Sequence, residues 1–225
     1  MIPSLTGRPA LRMTDSSRVV AVLRARHASA YAPVIESLVA GGVTLIELTL
    51  TTAGVVEHLP GLRRALGQDA EIGVGTVVDP GSASAVLDSG AQFLVTPTVN
   101  TDVIAMAVER EVPVIPGGLT PTELFAGWSA GATAVKVFPA STVGPGYIAQ
   151  LRGPFPQMEF VPSGGIGLDD ASAWMAAGAM AVSIGSPLLK DAFEGGSLRQ
   201  LTERCRRVTA LVAEAFAVRS SSGRT

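Results

Sequence analysis

Short apolar runs rich in β-branched residues alternate with longer Ala/Leu-rich stretches along most of this chain. The runs cover Arg18 to Arg24, Val43 to Leu50, Glu71 to Gly75, Gln92 to Thr96, Val112 to Ile115, Thr133 to Phe138, Glu159 to Val161 and Ala179 to Ile184. They show little polar alternation, as strands do when both faces of a parallel sheet are covered. Between them, apolar residues recur at helical spacing near residues 28–41, 54–66, 80–89, 101–110, 121–130, 145–151, 168–177 and 198–217. Strands that alternate with helices form parallel βαβ units. Eight such units in about 200 residues suit a single closed (β/α)8 TIM barrel better than an open doubly wound sheet.

No linker or shift of composition divides the chain. The pattern therefore predicts an N-terminal extension over 1–17, with a short helix near 3–13 capping the bottom of the barrel. A barrel over 18–217 and a flexible Ser/Gly-rich tail over 218–225 follow.

Composition narrows the classes. The chain has 225 residues, 47% hydrophobic and 16% charged, which supplies a large core and argues against disorder. A net charge of -2 leaves no footprint for nucleic acid or an anionic membrane. The single cysteine, Cys205, excludes an internal disulfide framework and a Cys-rich zinc site. It is read as structural, although its neighbours Arg204, Arg206 and Arg207 could lower a thiol pKa. His27 and His58 lie on or beside helices without metal spacing, so neither a metal nor another cofactor is predicted. Met1 to Arg12 lacks the continuous apolar core of a signal peptide, and no apolar run reaches the roughly 20 residues that span a bilayer. A cytoplasmic protein without membrane partners is expected.

In a barrel of this kind, chemistry sits at the C-terminal ends of the strands. After Thr133, Lys136 is the only polar side chain in the sixth run, sharing a face with Ala134 and Phe138. It is either half of a structural ion pair or a desolvated amine able to form a Schiff base with a ketone. Glu47 stands among Leu, Ile and Thr in the second run, sharing a face with Thr49 and Thr51. It either neutralises Lys136 or Arg24, or acts as a general acid/base with a pKa raised by burial. Arg24 ends the first run, where it forms a rim salt bridge or holds a carboxylate. Gly-containing turns follow the seventh and eighth runs, at Ser163-Gly164-Gly165 and Gly185-Ser186. Such turns, each opening a helix, offer backbone N–H groups to a phosphate.

Several segments taken together resemble a known family. They are Leu38-Val-Ala-Gly-Gly-Val-Thr-Leu-Ile-Glu47-Leu-Thr-Leu, Gly73-Val-Gly-Thr-Val-Val-Asp-Pro80, Gly90-Ala-Gln-Phe-Leu-Val-Thr-Pro97, Val114-Ile-Pro-Gly117, Val135-Lys136-Val-Phe-Pro139, Val161-Pro-Ser-Gly-Gly-Ile166 and Ile184-Gly-Ser186. In this order they resemble the 2-keto-3-deoxy-6-phosphogluconate and -galactonate aldolases, class I enzymes of Entner–Doudoroff and related pathways. The resemblance runs from about Val19 to Leu189.

It implies a lyase that splits a phosphorylated keto sugar acid to pyruvate and glyceraldehyde 3-phosphate, usually as a homotrimer and without a metal. By position it makes Lys136 the Schiff-base lysine and Glu47 the acid/base. Thr76 falls near the pyruvate carboxylate, Thr51, Pro97 and Phe138 line the pocket, and Ser163, Gly164, Gly165, Gly185 and Ser186 hold phosphate and substrate. Gluconate-type members usually carry an arginine where this chain has Thr51. Galactonate-type members use an arginine at the end of strand one, and Arg24 stands there. Thr96-Pro97-Thr-Val-Asn100 and Gly144-Pro-Gly-Tyr147-Ile also lean towards that branch. Other readings of the same residues are an aldolase for 4-hydroxy-2-oxoglutarate or another unphosphorylated keto acid, a phosphosugar isomerase or epimerase, and a non-catalytic binding barrel.

Overall fold

Each predicted apolar run carries a strand in the computed structural model, which describes residues 7–14 and 17–222. The strands are β1 (Val19–Leu23), β2 (Leu45–Thr49), β3 (Glu71–Gly75), β4 (Leu94–Val95), β5 (Val114–Ile115), β6 (Gly117–Gly118), β7 (Val135–Val137), β8 (Phe160–Pro162) and β9 (Val182–Ile184). The helices are α1 (Tyr31–Ala40), α2 (Val55–Leu66), α3 (Pro80–Asp88), α4 (Thr101–Glu109), α5 (Pro121–Ser129), α6 (Gly146–Arg152), α7 (Ala171–Ala176), α8 (Ser186–Leu189) and α9 (Leu198–Ser222). The fifth run carries β5, and β6 follows beyond that run, separated from it by Pro116, which has no N–H to give to a ladder. The one-turn helix α8 opens at the Gly185-Ser186 turn, where a helix was expected but no periodic stretch marks it.

All strand pairs are parallel, in an α/β fold whose six-stranded sheet, ordered β5-β4-β3-β2-β1-β9, forms a half-barrel. A second sheet is ordered β6-β7-β8. Lys136 N–H donates to the Pro116 carbonyl at 2.8 Å, Met180 N–H donates to the Phe160 carbonyl at 2.8 Å, and Ser163 bridges Ser183 in parallel register.

Period two sorts the strand side chains between two cores. Val20, Leu45, Phe93, Ile115, Ala134, Val161 and Ala181 form an inner cluster. Ala21, Ile46, Ile72, Val135 and Val182 join a larger cluster with the helices, including Ile35, Leu59, Ile104 and Trp128. Gly73 makes room in the inner cluster, since a Cβ there would lie 2.3 Å from Phe93 Cδ2.

The N-terminus corrects the predicted capping helix. Described residues 7–13 hold no helix, while residues 3–6 of that helix lie outside the described residues. Pro9 lacks an N–H and disfavours a helical Arg8. The segment instead straps the N-terminal ends of the strands. Leu11 is buried in the inner cluster, Arg12 N–H donates to Glu71 Oε2 at 2.6 Å, and Thr133 Oγ1 donates to the Pro9 carbonyl at 2.7 Å. Arg8 donates to the Trp128 and Ala132 carbonyls and stacks 3.8 Å from the Trp128 ring centroid.

The tail also differs from expectation. Helix α9 runs past residue 217 to Ser222, pinned by Arg219, which donates to the Met175 and Ala179 carbonyls at 3.0 and 2.8 Å. Among the described residues no helix is long and apolar enough to cross a membrane.

Candidate active site

Two residues above the inner cluster, on the same face, the strands turn polar. Leu45 is followed by Glu47, Ala134 by Lys136, Val161 by Ser163 and Ala181 by Ser183. These side chains floor a cavity of about 630 Å³ at the C-terminal ends of the strands. Lys136, in the middle of β7, is 8% exposed, and its Nζ lies 4.9 Å from the centroid of the Phe138 ring. Glu47, in the middle of β2, is 1% exposed.

Burial drives the Glu47 carboxyl above the ordinary carboxylate range, and the positive charges of Lys136 and then Arg24 pull it part of the way back. Its Oε2 has no hydrogen-bond partner among the described residues. Gly75 makes space for this carboxyl, because a Cβ there would lie 1.9 Å from Glu47 Oε1. Thr49 lines the cavity beside it and donates to the Leu23 carbonyl at 3.1 Å.

Arg24 lines the mouth, exposed, and forms no ion pair among the described residues. Thr76 lines the wall after β3 with φ of 63°, a strained conformation for a β-branched residue. Phe138 also lines the cavity.

The two late turns meet across the buried Ser163–Ser183 hydroxyl pair, whose oxygens are 3.2 Å apart. Gly164 and Gly165 have φ of 89° and 73°. The N–H groups of Gly165 and Ile166 have no acceptor among the described residues. Such free donors in a turn of positive φ make an anion cradle. Gly185 and Ser186 line the same cavity.

Two predicted site residues lie elsewhere. Strand β2 ends at Thr49 in a turn closed by Thr52 N–H donating to the Thr49 carbonyl at 3.0 Å. Alternation therefore stops before Thr51, which is exposed outside the cavity lining and reaches only the Thr49 hydroxyl, 3.1 Å away. Pro97 stands past the end of β4 with its backbone against β6; a Cβ on Gly117 would lie 2.5 Å from its carbonyl oxygen.

The structure adds lining residues not singled out from sequence, among them Val22, Thr49, Ser183, Lys190 and Phe193. Ser183 was findable, as a polar residue two before Gly185 on the same face. Lys190 and Phe193 follow α8, which no periodicity announces. No group of three or more His, Cys, Asp or Glu residues suited to a metal occurs among the described residues. Cys205 is buried, and burial pushes its thiol up to about 12, which makes it an inert core residue.

Comparison with known proteins points the same way. The KDPG and KHG aldolase family model matches residues 11–203. The 2-dehydro-3-deoxy-phosphogluconate aldolase of Dickeya dadantii (strain 3937) is 35% identical over 197 residues, covering 85% of this chain and 89% of that protein. A native KDPGal structure superposes with a TM-score of 0.82 at 29% identity, covering 88% of this chain and 96% of that one. KDPG aldolase from Legionella pneumophila, with pyruvate captured at low pH as a covalent carbinolamine intermediate, gives a TM-score of 0.79 at 28% identity, covering 88% and 99%. The match over most of the chain, with a lysine and a carboxyl sharing one apolar cavity, establishes that this protein belongs to the KDPG and KHG aldolase family.

Proposed function

We propose that the chain is a class I aldolase that reversibly cleaves a 2-keto-3-deoxy-6-phospho sugar acid to pyruvate and glyceraldehyde 3-phosphate. The observation that carries this reading is the pairing of buried Lys136 with buried Glu47 on an apolar floor. The Lys136 side-chain nitrogen attacks the C2 carbonyl and gives a carbinolamine. Loss of water leaves an iminium. Glu47 moves the protons in these steps and accepts the proton of the C4 hydroxyl. The C3–C4 electron pair flows into the iminium, glyceraldehyde 3-phosphate leaves, and an enamine remains. Protonation at C3 and hydrolysis release pyruvate and regenerate the amine.

In this reading Arg24 and Thr76 hold the carboxylate, and Phe138 covers the imine. Ser163, Gly164, Gly165, Gly185 and Ser186 hold the phosphate, supported by the free N–H groups of Gly165 and Ile166. Arg24 at the mouth and Thr51 outside the lining favour a galactonate-type clamp.

We further read the two sheets as arcs of one closed (β/α)8 barrel. Continuity through Pro116 and the Ser163–Ser183 bridge support closure. The chain then forms one domain, strapped at the bottom by its N-terminal segment. The family resemblance supports a homotrimer in the cytoplasm.

Borohydride reduction in the presence of pyruvate, followed by peptide mapping, tests the mechanism. The adduct is expected on Lys136, and Lys136→Ala should lose both adduct and turnover. An adduct elsewhere, or normal turnover by Lys136→Ala, overturns it.

A further inference from the structure

We infer that Lys190 determines specificity by holding the phosphate end of the substrate, so that selection for phosphorylated acids rests on this cation as well as on the glycine turn. The inference builds on the aldolase reading above.

Lys190 lines the cavity on the wall that continues from β9. It is one helical turn beyond Ser186, and its N–H donates to the Ser186 carbonyl at 2.8 Å. Ser186 in turn follows Ser183, whose hydroxyl meets Ser163 at the foot of the glycine turn. The fold thus brings Lys190 to the same side of the cavity as the free N–H groups of that turn.

Its backbone is the second observation. Lys190 caps α8 with φ of 49° and ψ of -118°. Glycine takes this conformation readily and is the usual residue just past a helix, whereas a side chain there is strained. Lys190 is exposed, so no packing of its side chain in the core explains why a lysine stands where glycine fits better. Strained positions of this kind point to function.

Charge is the third. Among the described residues Lys190 forms no ion pair, although Glu194 lies four residues on. The ammonium is left for a ligand. Of the other lining cations, Arg24 sits at the end of β1 and Lys136 lies in the floor. The glycine turn itself supplies dipoles and hydroxyls but no charge. A phosphate monoester carries about -1.5 to -2 at neutral pH and binds most strongly where a cation adds to such dipoles.

The test uses Lys190→Gly, Lys190→Ala and Lys190→Arg with two substrates, the 6-phosphorylated keto acid and the same acid without phosphate. Removing the ammonium should lower kcat/KM on the phosphorylated acid by about 10- to 100-fold, mainly through KM, the usual worth of one hydrogen bond to a charged group. Activity on the unphosphorylated acid should change less than about threefold, and arginine should recover most of the loss. Lys190→Gly should melt no lower than the parent, since it relieves the backbone. Equal losses on both substrates, or no loss on the phosphorylated one, overturn the inference. Stabilisation by inorganic phosphate in a thermal melt gives a readout independent of turnover. It should weaken in Lys190→Gly, and undiminished stabilisation refutes Lys190 as the phosphate cation. Pyruvate trapping on the parent separates the two ideas. If the adduct forms and the Lys190 variants behave as the parent, only the Lys190 inference falls. If no adduct forms, the aldolase mechanism falls, and the phosphate melt still decides Lys190.

Discussion

Replacing Gly75 by alanine sets a methyl group against the Glu47 carboxyl, the proposed acid/base. The new Cβ would lie 1.9 Å from Glu47 Oε1, 2.5 Å from Cδ and 2.7 Å from Cγ. Ordinary carbon contacts need about 3.5 Å or more, so the carboxyl would have to retreat by more than 1 Å, on the order of 1.6 Å at the oxygen. Rotating the carboxyl about its last bond does not relieve the clash, because Cγ is also too close. The side chain must change rotamer, on a strand fixed by pairing to β1 on one side and β3 on the other. A misplacement of about 1 Å at a reacting group costs roughly 10²-fold, and outright loss of a general acid/base about 10²–10⁴-fold. Gly75→Ala should therefore lower kcat/KM by about 10²–10³, or about 3–4 kcal/mol of transition-state stabilisation. Overpacking costs about 1–3 kcal/mol of stability, and removing a strand glycine returns about 0.5–1. The fold should thus lose less than the reaction does. Steady-state kinetics and urea unfolding measure the two, with Gly146→Ala as control, since a Cβ there meets nothing within 4 Å. If Gly75→Ala keeps kcat/KM within threefold, or loses no more than the control, the carboxyl's placement is not what Gly75 protects.

Glu47→Gln should slow turnover by about 10²–10⁴ and alter the pH dependence of stability. Burial raises the carboxyl, so the folded state keeps a proton that the unfolded chain, with a pKa of about 4.3, has already lost. The stability this confers is complete below about pH 4.3 and declines as pH rises to the folded value. Urea midpoints of Glu47→Gln should lack that decline, and a curve parallel to the parent's would refute the assignment. Gly165→Ala should raise KM for the phosphorylated acid about tenfold, because φ is 73° and the new Cβ would lie 2.5 Å from Ser141 Oγ. Adding Ser141→Gly should recover only the steric part of this loss, and full recovery would show that the backbone conformation is immaterial.

The alternation of strand and helix was legible because parallel strands covered on both faces read as unbroken apolar runs. Lys136 and Glu47 were legible for a related reason: a lone charge in such a run carries a desolvation cost that chemistry can use. Alternation misled where it was extended past the end of a strand. Thr51 shares a phase with Glu47 on paper, yet the turn at Leu50–Thr52 takes it out of the cavity. Pro97, given to the pocket by the family resemblance and not by alternation, stands two residues beyond β4 and outside the cavity lining. The capping helix failed at Pro9, which lacks an N–H and disfavours a helical Arg8. Lys190 and Phe193 left no periodic trace, because a single turn of helix is too short to show one.

A two-residue step separates stability from chemistry on these strands. Val20, Leu45, Ala134, Val161 and Ala181 close an apolar layer, with Leu11 of the strap among them. The next layer holds Val22, Glu47, Lys136, Ser163 and Ser183. Each polar group in that layer therefore rests on hydrocarbon below and can find partners only from the side or from above. Ser163 and Ser183 satisfy one another. Glu47 Oε2 has no partner among the described residues, and an unpaired buried acceptor costs about 1–3 kcal/mol. In the proposed reaction, a substrate hydroxyl that reached this oxygen would relieve that cost. The same apolar layer that holds the fold together thus raises the Glu47 carboxyl and leaves one of its oxygens with an unmet hydrogen bond.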